Sequence, residues 1–406
     1  MSTRGRTSTN GPDGDSGEHR VEVQTLAVHG GERRPGPDGS IVFPIYQGTV
    51  FPVEPGTAYE DIKYLRLSTT PSQRYLHDKL AALEGGEAAV ATSSGMAALT
   101  TTMLALLEQG DHFIASDFLY GGTHDFITRH ASELGWSWTF VDAQRPETWA
   151  AAMTERTRLF LAETIANPLM RVPRLREIVE FGRTHGVTTV IDNTFATPVN
   201  FRPLEVGFDL CCHSATKYLN GHSDIVAGCV VGRLELVERI RDVLNHFGGV
   251  LDPHAGFLLA RGLKTLAIRV ATQNANATTL AQLLSEHPAV REVNYPGLKN
   301  HPDHAYASEL LGGFGGMLSL RLEGGVAAAE RLLGALELAT VAPSLGGVET
   351  LVTMPARTSH VGMSPEERER SGLADDLIRV SCGIESGSDL AQDFARALDR
   401  AAGDPA

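Results

Sequence analysis

Between about residues 72 and 249 the chain alternates short apolar runs with longer stretches of mixed polarity. The runs cover residues 88–92, 112–116, 138–142, 159–163, 188–192, 209–213 and 225–231. Each has the length of a strand buried on both faces, and the intervening stretches are long enough for amphipathic helices. Strands alternating with helices predict βα units, and hence an α/β fold whose mostly parallel sheet is covered on both sides. In such sheets ligands collect at the carboxyl ends of the strands. Residues that close or follow an apolar run are therefore the first candidates for chemistry.

The flanks read differently. Residues 21–73 are loop-like and lack the periodicity of a self-contained core, which predicts an extended arm lying over something else. A largely helical segment over 254–287 leads into a second unit with strands over 317–322, 349–354 and 377–381 and helices over 326–336 and 389–402. The expected organisation is thus a tail (1–20), an arm (21–73), a large domain (74–253) and a smaller C-terminal α+β domain (254–406).

Residues 1–20 are rich in Gly, Ser, Thr and charge, so they read as a disordered tail rather than a signal peptide or anchor. The stretch from Ala88 to Leu107 carries no charge. Its many hydroxyls make it a strand, loop and helix of a soluble fold rather than a membrane span.

A length of 406 residues suits two domains. The formal net charge of -14, from 49 acidic and 35 basic residues, argues against a nucleic-acid or anionic-membrane surface, since both require a basic face. Cys211, Cys212, Cys229 and Cys382 show no metal-binding spacing and read as small core residues, which fits a cytoplasmic location. No metal site is expected, and His213 and His222 match no zinc pattern.

The densest chemistry lies after the run 209–213, in Ser214-Ala215-Thr216-Lys217-Tyr218-Leu219-Asn220-Gly221-His222. A lysine at a strand end, with Ser214 and Thr216 close before it, supplies what pyridoxal phosphate (PLP) needs: an amine for a Schiff base and donors for the phosphate. The plainer reading of Lys217 is a solvated surface lysine. Ser93-Ser94-Gly95-Met96 lies between a strand and a helix, where free backbone N–H groups and the helix dipole favour an anion. Asp192 closes the run 188–192, as either an N-cap or a partner for a pyridinium nitrogen. Arg379 stands on an apolar strand, where an unpaired guanidinium is costly, so it is expected to meet a carboxylate, either of the protein or of a ligand. Tyr120, before Gly121-Gly122, reads as a packed loop aromatic or as a stacking and proton-transfer group.

Taken together, these segments resemble the Cys/Met-metabolism PLP enzymes, the trans-sulfuration family that includes cystathionine γ-lyases and γ-synthases. The resemblance runs from about Thr25 to the C-terminal helix. It implies the type I fold of PLP-dependent transferases, similar to aspartate aminotransferase. It also implies PLP at Lys217, with Gly95, Met96, Ser214 and Thr216 at the phosphate, Asp192 at the ring nitrogen and Tyr120 stacked on the ring as an acid or base. Glu163-Thr164-Ile165-Ala166-Asn167-Pro168 resembles the family element that sets Asn167 near the cofactor's phenolic oxygen and the substrate. Arg379 then grips the substrate's α-carboxylate, with Ser344 lining that pocket.

Tyr64-Leu65-Arg66 resembles the arm motif that reaches a neighbouring subunit's phosphate, which implies a homo-oligomer, at least a dimer and by resemblance a tetramer. Three departures stand out. Ser68-Thr69-Thr70-Pro71-Ser72 replaces the usual Gly-Asn-Pro-Thr turn, Pro343 stands where cystathionine γ-lyases often carry a glutamate, and Gly122 where methionine γ-lyases carry a cysteine. The expected activity is γ-elimination on a γ-substituted L-amino acid, releasing a 2-oxo acid and ammonia. The alternatives are γ-replacement and a non-catalytic PLP carrier.

Overall fold

The computed structural model describes residues 21–362, 368 and 372–402, so the tail expected over 1–20 lies outside the described residues. Seven strands form the large sheet: β1 (Ala88–Thr92), β2 (His112–Ser116), β3 (Ser137–Val141), β4 (Thr157–Glu163), β5 (Thr188–Asp192), β6 (Leu210–His213) and β7 (Gly228–Gly232). Their spatial order is β1-β7-β6-β5-β4-β2-β3. Only β7 runs against its neighbours, pairing antiparallel with both β1 and β6. Every other strand therefore ends on the same edge, and there Glu163, Asp192 and the Ser214 turn stand side by side.

Strand periodicity divides the core in two. Phe160, Ala162, Ile191, Cys211 and Val231 face one side, with helices Pro71–Glu84 and Pro253–Leu263 packed over them. Leu159, Leu161, Val190, Cys212 and Val230 face the other, under helices Gly95–Leu106 and Leu234–Phe247. Burial on both faces is why these strands read as continuous apolar runs rather than as alternating ones. It also sends the adjacent Cys211 and Cys212 to opposite faces; all four cysteines are free and buried.

The second sheet has the order β10-β11-β12-β9-β8, from β8 (Val290–Asn294), β9 (Met317–Leu322), β10 (Thr340–Val341), β11 (Leu351–Thr353) and β12 (Ile378–Ser381). Helices Gly325–Ala335 and Gly387–Ala402 pack on it, together with the later turns of helix Leu266–Glu286. Helix Pro253–Leu263 instead contributes Leu259 and Leu263 to the large sheet's core. The strands β8 and β10 are absent from the sequence reading. Both are edge strands, one with a partly exposed polar pattern and the other two residues long, so neither carries an apolar run.

The arm also differs from the sequence expectation, because it begins with a helix, Val23–His29, in which only Ala27 is buried. An ionic cluster behind that helix fixes it. Glu32 accepts from Lys264 at 2.9 Å and from the Tyr75 hydroxyl at 2.8 Å, and lies 3.5 Å from Lys79. The Lys79 side chain is fully buried and also donates to Val28 O at 3.0 Å.

Burial pulls the Lys79 ammonium down to about 8, against the opposing pull of Glu32. Glu32→Ala removes the carboxylate that balances a buried cation, at an expected cost of about 3 kcal/mol. Without Glu32 the folded-state pKa of Lys79 falls further, so the part of the deficit owed to that lysine is full at low pH. It shrinks as pH rises through about 8, where Lys79 is neutral in both proteins. Thermal unfolding of both proteins between pH 6 and 9 measures this, and a deficit that grows with pH contradicts it.

Candidate active site

Lys217 sits on a tight turn just past β6. Its N–H donates to Ser214 O at 3.1 Å, and its carbonyl accepts from Gly221 N at 2.7 Å. The buried Arg269 guanidinium braces the next residues, donating to Tyr218 O at 2.8 Å and Leu219 O at 3.4 Å. The lysine has little freedom at its root, while its amine reaches across to the second sheet's side and donates to Ser344 Oγ at 2.8 Å. Burial, reinforced by Arg379, pulls that amine down to about 8.

Arg379 lies on β12 and is almost wholly buried. It donates to Asn167 Oδ1 at 3.2 Å and to Ser344 O at 3.1 Å. No carboxylate of the described residues forms an ion pair with it, so the structural ion pair considered from the sequence is not formed there. Ser344 thus serves both cations, its hydroxyl facing Lys217 and its carbonyl facing Arg379. It does so with φ +96°, an uncommon conformation for a residue with a side chain.

Two carboxyl groups form the floor. Glu163 and Asp192 pair in register at the ends of β4 and β5. Asp192 Oδ1 accepts from Thr194 N at 2.9 Å and from the Thr194 hydroxyl, whereas Glu163 accepts from the backbone N–H groups of Tyr120 and Asn167. Burial raises both carboxyl groups above the usual range, and for Glu163 the neighbouring Asp192 adds to the rise. Behind them His213 is engaged by Glu84 at 2.6 Å and lies 3.4 Å from Cys211 Sγ. His222 instead turns to Asn220 O at 2.7 Å.

The third wall is the start of helix Gly95–Leu106. Ser94 caps it by accepting from Ala97 N at 3.0 Å, which leaves the N–H groups of Gly95 and Met96 without intrahelical acceptors. A Cβ at Gly95 would lie 2.6 Å from Ser214 Cβ, so only glycine lets this turn approach the lysine loop so closely. Thr216 lines the same cavity, although its hydroxyl donates to Ala227 O at 3.1 Å and accepts from Ala227 N at 2.9 Å.

The cavity holds about 650 Å³ and is lined by Gly95, Met96, Tyr120, Asn167, Asp192, Ser214, Thr216, Lys217, Ser344 and Arg379. Residues remote in sequence are thereby brought together as expected. Tyr64 and Arg66 are not among them. Arg66 donates to Asn245 O at 2.8 Å and lies over the Tyr64 ring at 5.7 Å. The departure at Ser68–Ser72 builds that region: Thr69 Oγ1 accepts from Tyr64 N at 3.1 Å, and Gln73 Oε1 accepts from Thr70 N at 3.2 Å.

The sequence reading did not assign roles to Thr194, Val226, Thr358 and Ser359, which also line the cavity. Thr194 follows Asp192 closely enough to be recognised as its donor. Residues 358 and 359 lie in irregular chain with no signal of their own.

The donor set fits a phosphorylated carbonyl cofactor: an amine of lowered basicity, a helix N-terminus for the phosphate, and a half-buried carboxyl group for a ring nitrogen. An α/β fold with these groups at one strand edge defines a PLP-dependent enzyme. The comparisons agree: over residues 24–399 the chain matches the Cys/Met metabolism PLP-dependent enzyme family, and it belongs to that family.

It is 41% identical over 380 residues to a cystathionine gamma-lyase of Bacillus subtilis, covering 93% of this chain and 100% of that protein. It is also 41% identical to an L-methionine gamma-lyase of Pseudomonas putida over 388 residues, covering 93% and 97%. Among solved structures, a cystathionine gamma synthase of Xanthomonas oryzae pv. oryzae, in complex with aminoacrylate and cysteine, superposes with a TM-score of 0.90. That pair is 39% identical and covers 94% of this chain and 99% of that one. The cofactor is PLP and the chain is an enzyme of the trans-sulfuration family, which sets aside the carrier reading.

The lowered amine generates a prediction about cofactor uptake. Only the neutral amine attacks a carbonyl, so the rate of PLP loading into apoenzyme is expected to rise with pH, with a midpoint near 8. Arg379→Leu removes a neighbouring positive charge, which raises the lysine pKa and moves the midpoint to higher pH. Stopped-flow absorbance measures both, with Lys217→Ala as the blank. A midpoint unmoved or lowered by Arg379→Leu contradicts the coupling.

Proposed function

We propose that this enzyme catalyses γ-elimination on a γ-substituted L-amino acid. The observation that supports it is a buried guanidinium, free of protein carboxylates among the described residues, in the same cavity as a lysine amine. Arg379 receives the α-carboxylate, and Asn167 Oδ1 helps to fix the guanidinium plane. Lys217 is placed to carry the proton from Cα, and the Tyr120 hydroxyl to protonate the departing γ-group. The backbone N–H groups of Gly95 and Met96, with Ser214 and Thr216, would hold the phosphate, and Asp192 would serve the ring nitrogen. The bound cofactor supplies an electron sink for the pair released when the Cα–H bond breaks. A proton is then lost from Cβ, that C–H electron pair forms the Cβ–Cγ double bond as the γ-substituent leaves with a proton, and one water converts the remainder to a 2-oxo acid and ammonia.

The lining also favours an uncharged γ-substituent: Pro343, Val226, Thr358 and Ser359 line the cavity with no ionisable side chain among these four, and the γ-group is assigned to them. γ-Replacement remains a second reading, supported by the likeness to the synthase solved with aminoacrylate and cysteine. Purified enzyme given cystathionine, methionine, O-acetyl-, O-succinyl- and O-phosphohomoserine, each with and without cysteine or sulfide, separates the two. The expected result is 2-oxo acid without added thiol, fastest with a small neutral γ-group. Thiol-dependent thioether formation with negligible 2-oxo acid from every substrate overturns the proposal in favour of replacement.

We also propose that the arm completes a neighbouring subunit's site. Tyr64 and Arg66 lie outside their own chain's cavity, and the arm exposes Ile41, Val42, Val50 and Val53, an apolar run suited to burial against another copy. Free buried thiols favour a cytoplasmic location, and no helix of the described residues is long and apolar enough to cross a membrane. Arg66→Ala and Lys217→Ala, each inactive alone, are expected to regain activity in a mixed oligomer, where one site has both residues intact. Activity of verified mixed oligomers measures this, and no recovery contradicts the crossed arm.

A further inference from the structure

Glu163 has no assigned role in the reaction sketched above, yet it is a buried carboxyl group at the cavity floor. Its two oxygens point in different directions. Oε1 accepts from the backbone N–H of Tyr120, and Oε2 accepts from that of Asn167 at 3.4 Å. Tyr120 is the residue from which helix Gly121–His130 starts, its carbonyl accepting from Thr123 N at 2.9 Å and His124 N at 3.0 Å. Asn167 orients Arg379. One carboxyl group therefore touches the backbone of both segments that face the substrate from the large sheet.

We propose that Glu163 is a positioning residue that ties the Tyr120 segment to the Asn167 segment, so that the acid for the leaving group and the carboxylate fork keep a fixed separation. The tie rests on the elimination reading for the roles of those two groups, but not for its existence. Packing alone does not fix this tyrosine, which is 43% exposed. On the far side the same segments are braced again, because the buried His360 lies against the backbone of Leu119 and Asn167.

Burial favours the neutral form of Glu163, and Asp192 beside it adds to that. Asp192 adjoins it on β5, while Tyr120, Lys217 and Arg379 line the cavity above. With Asp192 holding the negative charge at the ring nitrogen, a second carboxylate beside it is repelled. A neutral Glu163 still accepts two N–H groups, one on each oxygen. An amide there keeps one acceptor oxygen and turns an NH₂ toward the other N–H. Glu163→Gln therefore keeps one tie, and Glu163→Ala keeps none.

Hydrogen exchange by mass spectrometry on the PLP-loaded enzyme tests this directly. Glu163→Ala is expected to speed exchange in residues 117–124 and in 164–170 together, with the cofactor's visible absorbance retained; Glu163→Gln is expected to speed only one of them. Turnover of the best substrate is expected to fall about 100-fold in kcat for Glu163→Ala, as reacting groups lose their alignment. KM rises less, and the kcat loss is much smaller in a Tyr120→Phe background. Unchanged exchange in both segments, or faster exchange in one alone for the alanine variant, overturns the tie. Exchange needs no substrate, so the tie stands or falls separately from the elimination reading. If the alanine variant does not fold, Glu163→Gln decides: normal exchange in both segments overturns the proposal.

Discussion

Two cations share one cavity in this enzyme, and the rest of the site follows from holding them there. Lys217 and Arg379 come from different sheets, and neither forms an ion pair with a carboxylate of the described residues. Burial lowers the basicity of both, the repulsion from Arg379 lowers that of Lys217 further, and Ser344 is the group that touches both. A desolvated guanidinium without a counterion is costly unless hydrogen bonds satisfy it, which Asn167 Oδ1 and Ser344 O do in part. The remaining electrostatic deficit is what a carboxylate bound beside Arg379 would relieve, the role proposed for the substrate's α-carboxylate. The same repulsion lowers the amine's basicity, which is what attack on a carbonyl requires.

The architecture keeps these opposed charges apart yet adjacent. Glu163 and Asp192 end neighbouring parallel strands, so the carboxyl groups are confined to one edge of the large sheet. Arg379 is carried on β12, between β11 and β9 of the other sheet, where pairing on both sides fixes its backbone. Ser344 lies in the connection after β10 and adopts a positive φ to present its hydroxyl and carbonyl in different directions. Neither sheet alone holds an amine, a guanidinium and two carboxyl groups within one cavity of about 650 Å³.

Much of this was legible in the sequence, for a definite reason. Doubly buried strands such as β1, β2, β5 and β9 are continuous apolar runs, and their limits are those read from the pattern. Candidate residues at their ends inherit that clarity, as Asp192 and Lys217 do. What escaped the reading has no such run. The strands β8 and β10 lie at sheet edges, and the helix Val23–His29 buries a single residue. The antiparallel course of β7 is invisible to a pattern that records burial but not direction. Thr358 and Ser359 reach the cavity from irregular chain, where spacing predicts no face.

The cavity lining contains groups that match demands common to PLP enzymes and groups that do not. An amine, a helix N-terminus, a carboxyl group and a guanidinium are of the first kind. Pro343, Val226, Thr358 and Ser359 are of the second, and they offer hydroxyl and apolar surface. A charged γ-substituent against these residues would lose hydration without gaining an opposite charge from the four, whereas a small neutral one loses little. On the elimination reading, discrimination at this site would work by withholding a counterion rather than by supplying one. On that reading, substrate choice would rest in part on Thr358 and Ser359, which stand in irregular chain where spacing predicts no face.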